Sequence, residues 1–273
     1  MLTKTKAAIV TTLFLSLGAQ ADTILNVATA GDQNMVDYVK TWLGPKFEAA
    51  HPGVKVRVIG TGPGDAGSNK ISEKLTAQQE SGAQRWDIDV AVVHQKAGGE
   101  QVAKGLLQKY RQDIQTGGMV SSPSATQALG VNVDGYVMPM FLSQTAIAWN
   151  SDLVTTPPAS YDELVAWTQK HPQAFGYNGI KNGMSGVSFV VGWIYAYGTD
   201  AQRLSAGPYD KSVEKGWQQA YEKLKAFNKN VTSTPGNAGT LDMLSRGEIA
   251  MGPVWVDMFY SWKDQGKLPP SIK

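Results

Sequence analysis

Apolar and polar positions along the first third of the chain alternate in a strand–helix rhythm. Residues 24–30 read as a strand. Val36, Val39, Leu43 and Phe47 recur on one helical face over residues 34–50, where Gly44-Pro45 should kink or split the helix before His51-Pro52-Gly53 ends it. Val54, Val56 and Val58 alternate with Lys55 and Arg57 in a second strand. Residues 68–81 read as a helix capped by Ser68, and residues 87–93 as a third, mostly apolar strand. Such alternation predicts a parallel sheet covered by helices. A short helix and an edge strand are expected around Gly98-Gly99 and residues 105–110, then a polar connection over 112–135.

Residues 135–152 break the rhythm. They form a long strand-like run, apolar at both ends, that Ser143, Gln144 and Thr145 interrupt, as expected of a segment with each end in a separate core and its middle at a cleft. Beyond Pro157-Pro158, Ser160 and Glu163 form a capping-box signature for a helix ending at His171-Pro172. Residues 183–198 are apolar and glycine-punctuated, either a buried helix or a wall of the binding site. Residues 210–230 form the cleanest amphipathic helix, Thr240 begins another, and residues 247–256 return to strand.

Composition sharpens this picture. A chain of 273 residues with 42% hydrophobic and 18% charged positions supports two domains with a sizeable core. Lys4 and Lys6, the mostly apolar run 7–17 and Ala19-Gln20-Ala21 predict a signal peptide cleaved after Ala21, and a run of eleven residues is too short to span a bilayer of about 30 Å. Those lysines are the only charges before Asp22. Removing them turns 25 basic against 23 acidic residues into 23 of each, which leaves no electrostatic drive toward nucleic acid or anionic lipid. The absence of cysteine excludes disulfides, thiolate catalysis, zinc–thiolate sites and a lipid-anchored N-terminus.

Catalytic chemistry is poorly represented. The three histidines include His51 and His171, each before a proline at a helix end, which leaves His94. Asp87 and Asp89 could pair as in glycosidases, although they read better as capping a strand start. Gly62-Pro63-Gly64-Asp65-Ala66-Gly67 matches a dinucleotide fingerprint, but Pro63 removes an N–H donor and an exported chain rarely meets nicotinamide cofactors. A glycine turn bringing a helix N-terminus to a cleft is the better reading. Of the eight tryptophans, Trp42, Trp167 and Trp217 read as packing, whereas Trp149, Trp193 and Trp255 are candidates for stacking on a ligand.

Four segments together resemble the extracellular solute-binding proteins of bacterial ABC importers, in the large two-lobed class that includes maltose-, polyamine- and thiamine-binding proteins. They are residues 42–56, Ala148-Trp-Asn-Ser-Asp-Leu, Pro157-Pro-Ala-Ser-Tyr-Asp-Glu-Leu and Arg246-Gly-Glu-Ile-Ala-Met-Gly-Pro-Val-Trp. The resemblance implies an α/β fold of two lobes, each a mostly parallel sheet with covering helices, joined by crossing strands: residues 22–142 as lobe 1, 143–252 as lobe 2, and 253–273 returning to lobe 1. Met251 to Pro253 would partner the polar break at 143–145. Against that family pattern the chain looks C-terminally truncated.

By position, the resemblance implies ligand contacts from Asp32, Gln33 and Asn34; Thr61 and Gly62; His94 and Gln95; Ser143 and Gln144; and Trp255 with Asp257. Trp193 joins them as an aromatic wall. No cofactor, metal or catalytic residue is expected. The implied function is a monomeric periplasmic receptor that traps a small polar solute and presents it to a membrane permease. Sugars or polyols lead, a polyamine or thiamine-like cation follows, and ferric iron is disfavoured. The rival classes are a secreted carbohydrate-active enzyme and, through residues 62–67, a nucleotide-binding oxidoreductase.

Overall fold

The computed structural model describes residues 22–140, 142–206 and 209–273; the expected signal peptide lies outside them. The chain forms two α/β lobes. In the first, β1 (Thr23–Ala30) is the centre of a parallel sheet. A helical link of α1 (Gln33–Asp37), a π-helical turn at Tyr38–Leu43 and α2 (Gly44–Ala50) leads to β2 (Val54–Gly62) on one edge. The expected break at Gly44-Pro45 takes the form of that π turn. Pro45 has no N–H to continue the α ladder, and the Gly44 N–H reaches back five residues to the Val39 carbonyl.

From β2 the chain passes through α3 (Gly64–Glu80) to β3 (Val90–Val92), on the other edge, and then α4 (Gln95–Ala103). Helix α3 begins four residues before Ser68, which is therefore no cap. Ser68 is buried inside the helix, and its Oγ accepts the His94 N–H at 3.4 Å. Ala28 and Ala30 let α3 approach the sheet, where Ile71, Leu75 and Leu106 complete a small core. β3 is shorter than expected, and the Asp89 carboxylate ahead of it takes the Asn26 N–H at 2.7 Å. No strand forms at 105–110. That region runs as turns and 3-10 segments up to a small hairpin, β4 (Gln127–Ala128) and β5 (Val131–Asn132).

The second lobe contains β6 (Thr145–Trp149), α5 (Tyr161–Lys170), β7 (Phe175–Tyr177), α6 (Met184–Tyr197), α7 (Ala201–Ala206) and α8 (Gln218–Phe227). After them come β8 (Val231–Ser233), α9 (Asn237–Ser245), β9 (Met251–Trp255) and α10 (Val256–Asp264). Its sheet runs β6-β9-β7-β8, with β6 antiparallel to β9 and β7 parallel to both neighbours. The Ser160 cap before α5 is present, its Oγ accepting the Glu163 N–H at 3.2 Å, while the Glu163 carboxylate reaches one residue beyond the cap to accept the Ala159 N–H at 2.9 Å. The amphipathic run 210–230 divides into a 3-10 segment, Lys211–Trp217, and α8. The division falls beside Gly216, where a Cβ would lie 1.9 Å from Thr199 Oγ1.

Three expectations are corrected here. The strand expected over 135–152 is limited to β6, and its register pairs Thr145 with Trp255 and Trp149 with Met251, so the polar break faces 255–257 rather than 251–253. Residues 253–273 do not return to the first lobe. Met258, Leu268 and Ile272 pack with Ala148, Leu241, Leu244 and Ile249, and the Trp149 N–H bonds the Lys273 carbonyl at 3.0 Å. Trp193, expected to line the binding site, is fully buried in α6 among the rings of Tyr161 and Phe227 (both 4.9 Å), Tyr197 (5.6 Å) and Phe189 (6.1 Å). A glycine-punctuated helix seals one face of this lobe, and its largest side chain is the centre of an aromatic core. Among the described residues, no helix is long and apolar enough to cross a membrane.

Candidate functional site

The carboxyl ends of the parallel strands of both sheets point at the space between the lobes, where α/β folds bind ligands. On the first-lobe side, β1 leads into Asp32, β2 into the glycine turn and β3 into His94. A β-bulge at Thr61 shifts the β1–β2 register, and Gly62, at φ 100°, offers its carbonyl to the Gly31 N–H at 3.0 Å. The fingerprint glycines beyond it belong to α3. A Cβ on Gly67 would lie 1.8 Å from Gly62 O, so glycine there permits the close turn that starts the helix. This is the glycine turn at a cleft that the sequence suggested.

On the second-lobe side, β7 and β8 lead into the loops that start α6 and α9. A buried polar network fixes both loops. Asn237 Oδ1 accepts from Asn178 Nδ2 (2.9 Å) and Ser185 Oγ (2.8 Å), while Thr234 and Thr240 share a 2.6 Å hydroxyl bond. All five side chains are buried. Gly183, at φ 157°, is required where these loops meet, because a Cβ would fall 2.4 Å from Asn178 Nδ2 and 2.5 Å from Asn237 Oδ1.

Hydrogen bonds join the two walls. Asn237 Nδ2 donates to Asp32 Oδ2 at 2.9 Å, and Asn34 Nδ2 to Asp257 Oδ2 at 3.0 Å; Ser143 Oγ, at the polar break, also donates to Asp257. Burial raises the Asp32 carboxyl above the usual range; the Asn237 bond opposes this, the Asp257 charge adds to it, and His94 opposes it weakly. Burial lowers the His94 imidazole against the pull of the Asp65 and Asp32 charges, and its Nδ1 is buried without a partner. Beside this network opens a cleft of about 360 Å3, lined by Pro63, Asp65 and Ala66 from the first lobe and Lys181, Asn182, Gly183 and Pro235 from the second.

The expected site residues thus fall into groups. Asp32, Asn34, Ser143 and Asp257 converge in the hydrogen-bonded interlobe network, and His94 feels its charges. Thr61 and Gly62 shape the turn, with Thr61 Oγ1 on the Thr29 carbonyl at 3.1 Å. Gln33, Gln95 and Gln144 are exposed; the Gln33 amide serves Asp37 on its own helix at 2.9 Å. Trp255 packs against the second-lobe core around Leu241 and Ile249, and Trp193 is buried in the aromatic core of that lobe. Missed from the sequence were Asp65 as a wall residue, Lys181, Asn182, Gly183, Pro235 and Asn237. Their one signal was the pair of turns Asn182-Gly183 and Pro235-Gly236 directly before helices. The residues behind the rival enzyme readings have structural tasks: Asp87 pairs with Lys74 at 2.6 Å and Asp89 holds Asn26.

A family model described as bacterial extracellular solute-binding protein matches residues 42–272. No curated protein matches the sequence. Similar solved structures include the spermidine/putrescine ABC transporter substrate-binding protein PotD from Streptococcus pneumoniae, at 14% identity, TM-score 0.62, covering 92% of this chain and 67% of that one. Maltose-bound MalE3 of T. maritima matches at 16% identity and TM-score 0.64, over 85% of this chain and 61% of that one. Iron-bound HitA from Pseudomonas aeruginosa matches at 14% identity and TM-score 0.58, over 92% and 68%.

Proposed function

Because the chain belongs to the family of bacterial extracellular solute-binding proteins, we propose that it captures a small polar organic solute between its lobes and delivers it to the membrane permease of an ABC importer. In this reading it acts as a monomer in the periplasm after removal of its signal peptide, with residues 22–142 and 143–273 as the two lobes. The observation that carries the reading is the cleft itself. Two sheets direct their loop ends into one space of about 360 Å3, and the bonds Asn237 donates to Asp32 and Asn34 donates to Asp257 join the two lobes. A volume of this size holds about a dozen water-sized groups.

Among the described residues the cleft is lined by Pro, Ala, Gly, Asn, Asp and Lys, and Trp193 is in the core. That lining favours recognition through charge and hydrogen bonds. The direct test is native mass spectrometry of the protein from its own periplasm, beside Ala66→Trp, which fills the cleft from an exposed helix position. A co-purified solute lost in Ala66→Trp supports the reading. A solute retained there, or product release from a glycan, refutes it.

A further inference from the structure

We infer that the solute is a small zwitterion, with its cationic end on the first-lobe wall at Asp65 and its anionic end on the second-lobe wall at Lys181. This rests on the reading of the cleft as the solute site. The two side chains line the same space from opposite lobes. Among the described residues neither has an ion-pair or hydrogen-bond partner, whereas eight other ion pairs are formed elsewhere on this surface. The cleft therefore presents one side chain of each sign without a direct ion pair, one from each lobe.

Three considerations set the ligand class. Closing the lobes around an uncharged solute would remove water from both charges and return nothing ionic to either. A purely cationic or anionic solute would satisfy one charge and leave the other buried alone. A solute that is neutral overall but carries separated charges matches both. The second-lobe wall is also fixed for this task. The loop bearing Lys181 runs between Asn178 and Ser185, both fully buried and bonded to Asn237, so the ammonium is presented from an anchored turn. On the first-lobe side, Asp65 is in electrostatic reach of His94, whose charged form burial disfavours, and of Lys96, whose ammonium is already bonded to Glu100 at 2.8 Å.

The test is calorimetric titration of the full chain with α-amino acids, ω-amino acids of three to six carbons, betaine and aminoalkylphosphonates. Matched alkylamines, carboxylates and polyols serve as controls. At least one zwitterion should bind, and removing either of its charges should weaken binding by roughly tenfold to a hundredfold, the range for one charge-assisted contact. Asp65→Asn should remove the discrimination between the zwitterion and its amine-free analogue. Lys181→Gln should remove that between the zwitterion and its carboxylate-free analogue. Both side chains are exposed, so neither change threatens folding.

If a polyol or a singly charged solute binds instead, and Ala66→Trp abolishes it, the zwitterion inference fails while the cleft reading stands. If Asp65 and Lys181 exist to pair with each other on closure, the two substitutions will weaken every ligand equally, which also overturns the inference. Silence of every zwitterion overturns it too. Binding that survives Ala66→Trp removes the cleft reading as well.

Discussion

Asn237→Ala tests whether the buried amide network holds the cleft in shape. Asn237 is 5% exposed; its Oδ1 serves Asn178 and Ser185, and its Nδ2 reaches Asp32 across the lobes. Truncation deprives a half-buried carboxylate of a charge-assisted bond, an effect of about 1.5–3 kcal/mol with the lower end appropriate to partial exposure. It also strands the Asn178 amide and the Ser185 hydroxyl. These can still reach one another at 3.2 Å, so that loss stays near the lower end of the ~1–3 kcal/mol for a buried unsatisfied group. Together the expected loss is about 2–4 kcal/mol. With an m-value near 3 kcal/mol/M, this is a shift of roughly 1 M in the urea midpoint, read by tryptophan fluorescence. A shift below about 0.2 M at unchanged m would show that the network is incidental to the fold, and the account of the second-lobe wall would fall with it.

Two further outcomes follow from the same geometry. Trp193→Ala should destabilise by about 3–5 kcal/mol, whereas Trp193→Phe should leave solute affinity unchanged; an affinity loss in a well-folded Trp193→Phe would return this ring to the binding site. Asp32→Asn keeps an acceptor for Asn237 but removes a charge that burial disfavours. A carboxyl whose pKa rises on folding binds protons more readily in the folded state, so wild-type stability increases as pH falls from the raised value to the ordinary one. Asp32→Asn should therefore be the more stable variant at pH 7, with its advantage shrinking on acidification. An advantage that grows toward acid in paired urea titrations would reverse the assignment.

Elements whose causes are local were legible in the sequence. The alternation of Val54, Val56 and Val58 gave β2, and Ser160 with Glu163 gave the start of α5, because each depends on neighbours within a few positions. The family and the two-lobed class were also legible, since their signal is spread over four segments of the chain. What failed depended on distant partners. Ser68 resembles a cap in isolation, but it is needed inside α3, under the His94 N–H. Trp193 and Trp255 read alike as aromatic candidates, and only the packing of Tyr161, Phe189 and Phe227 assigns the first to a core. Asn237 and Lys181 had no chance of selection, because an amide and an amine in turn-rich stretches look like solvated surface until the second wall is folded beneath them.

The register of β6 on β9 also orders events in time. Thr23 and Val54 pair across 31 positions of chain, whereas Thr145 and Trp255 pair across 110. Loop closure alone makes the second pairing about 1 kcal/mol costlier to nucleate, so the first sheet has the kinetic advantage. The cross-lobe bond from Asp32 to Asn237 spans 205 positions and needs both loop ends already fixed. The interlobe cleft is therefore the last feature to assemble and the first to be lost. A bound solute will appear in kinetics as slower opening of the finished molecule, with the folding rate of either lobe unchanged.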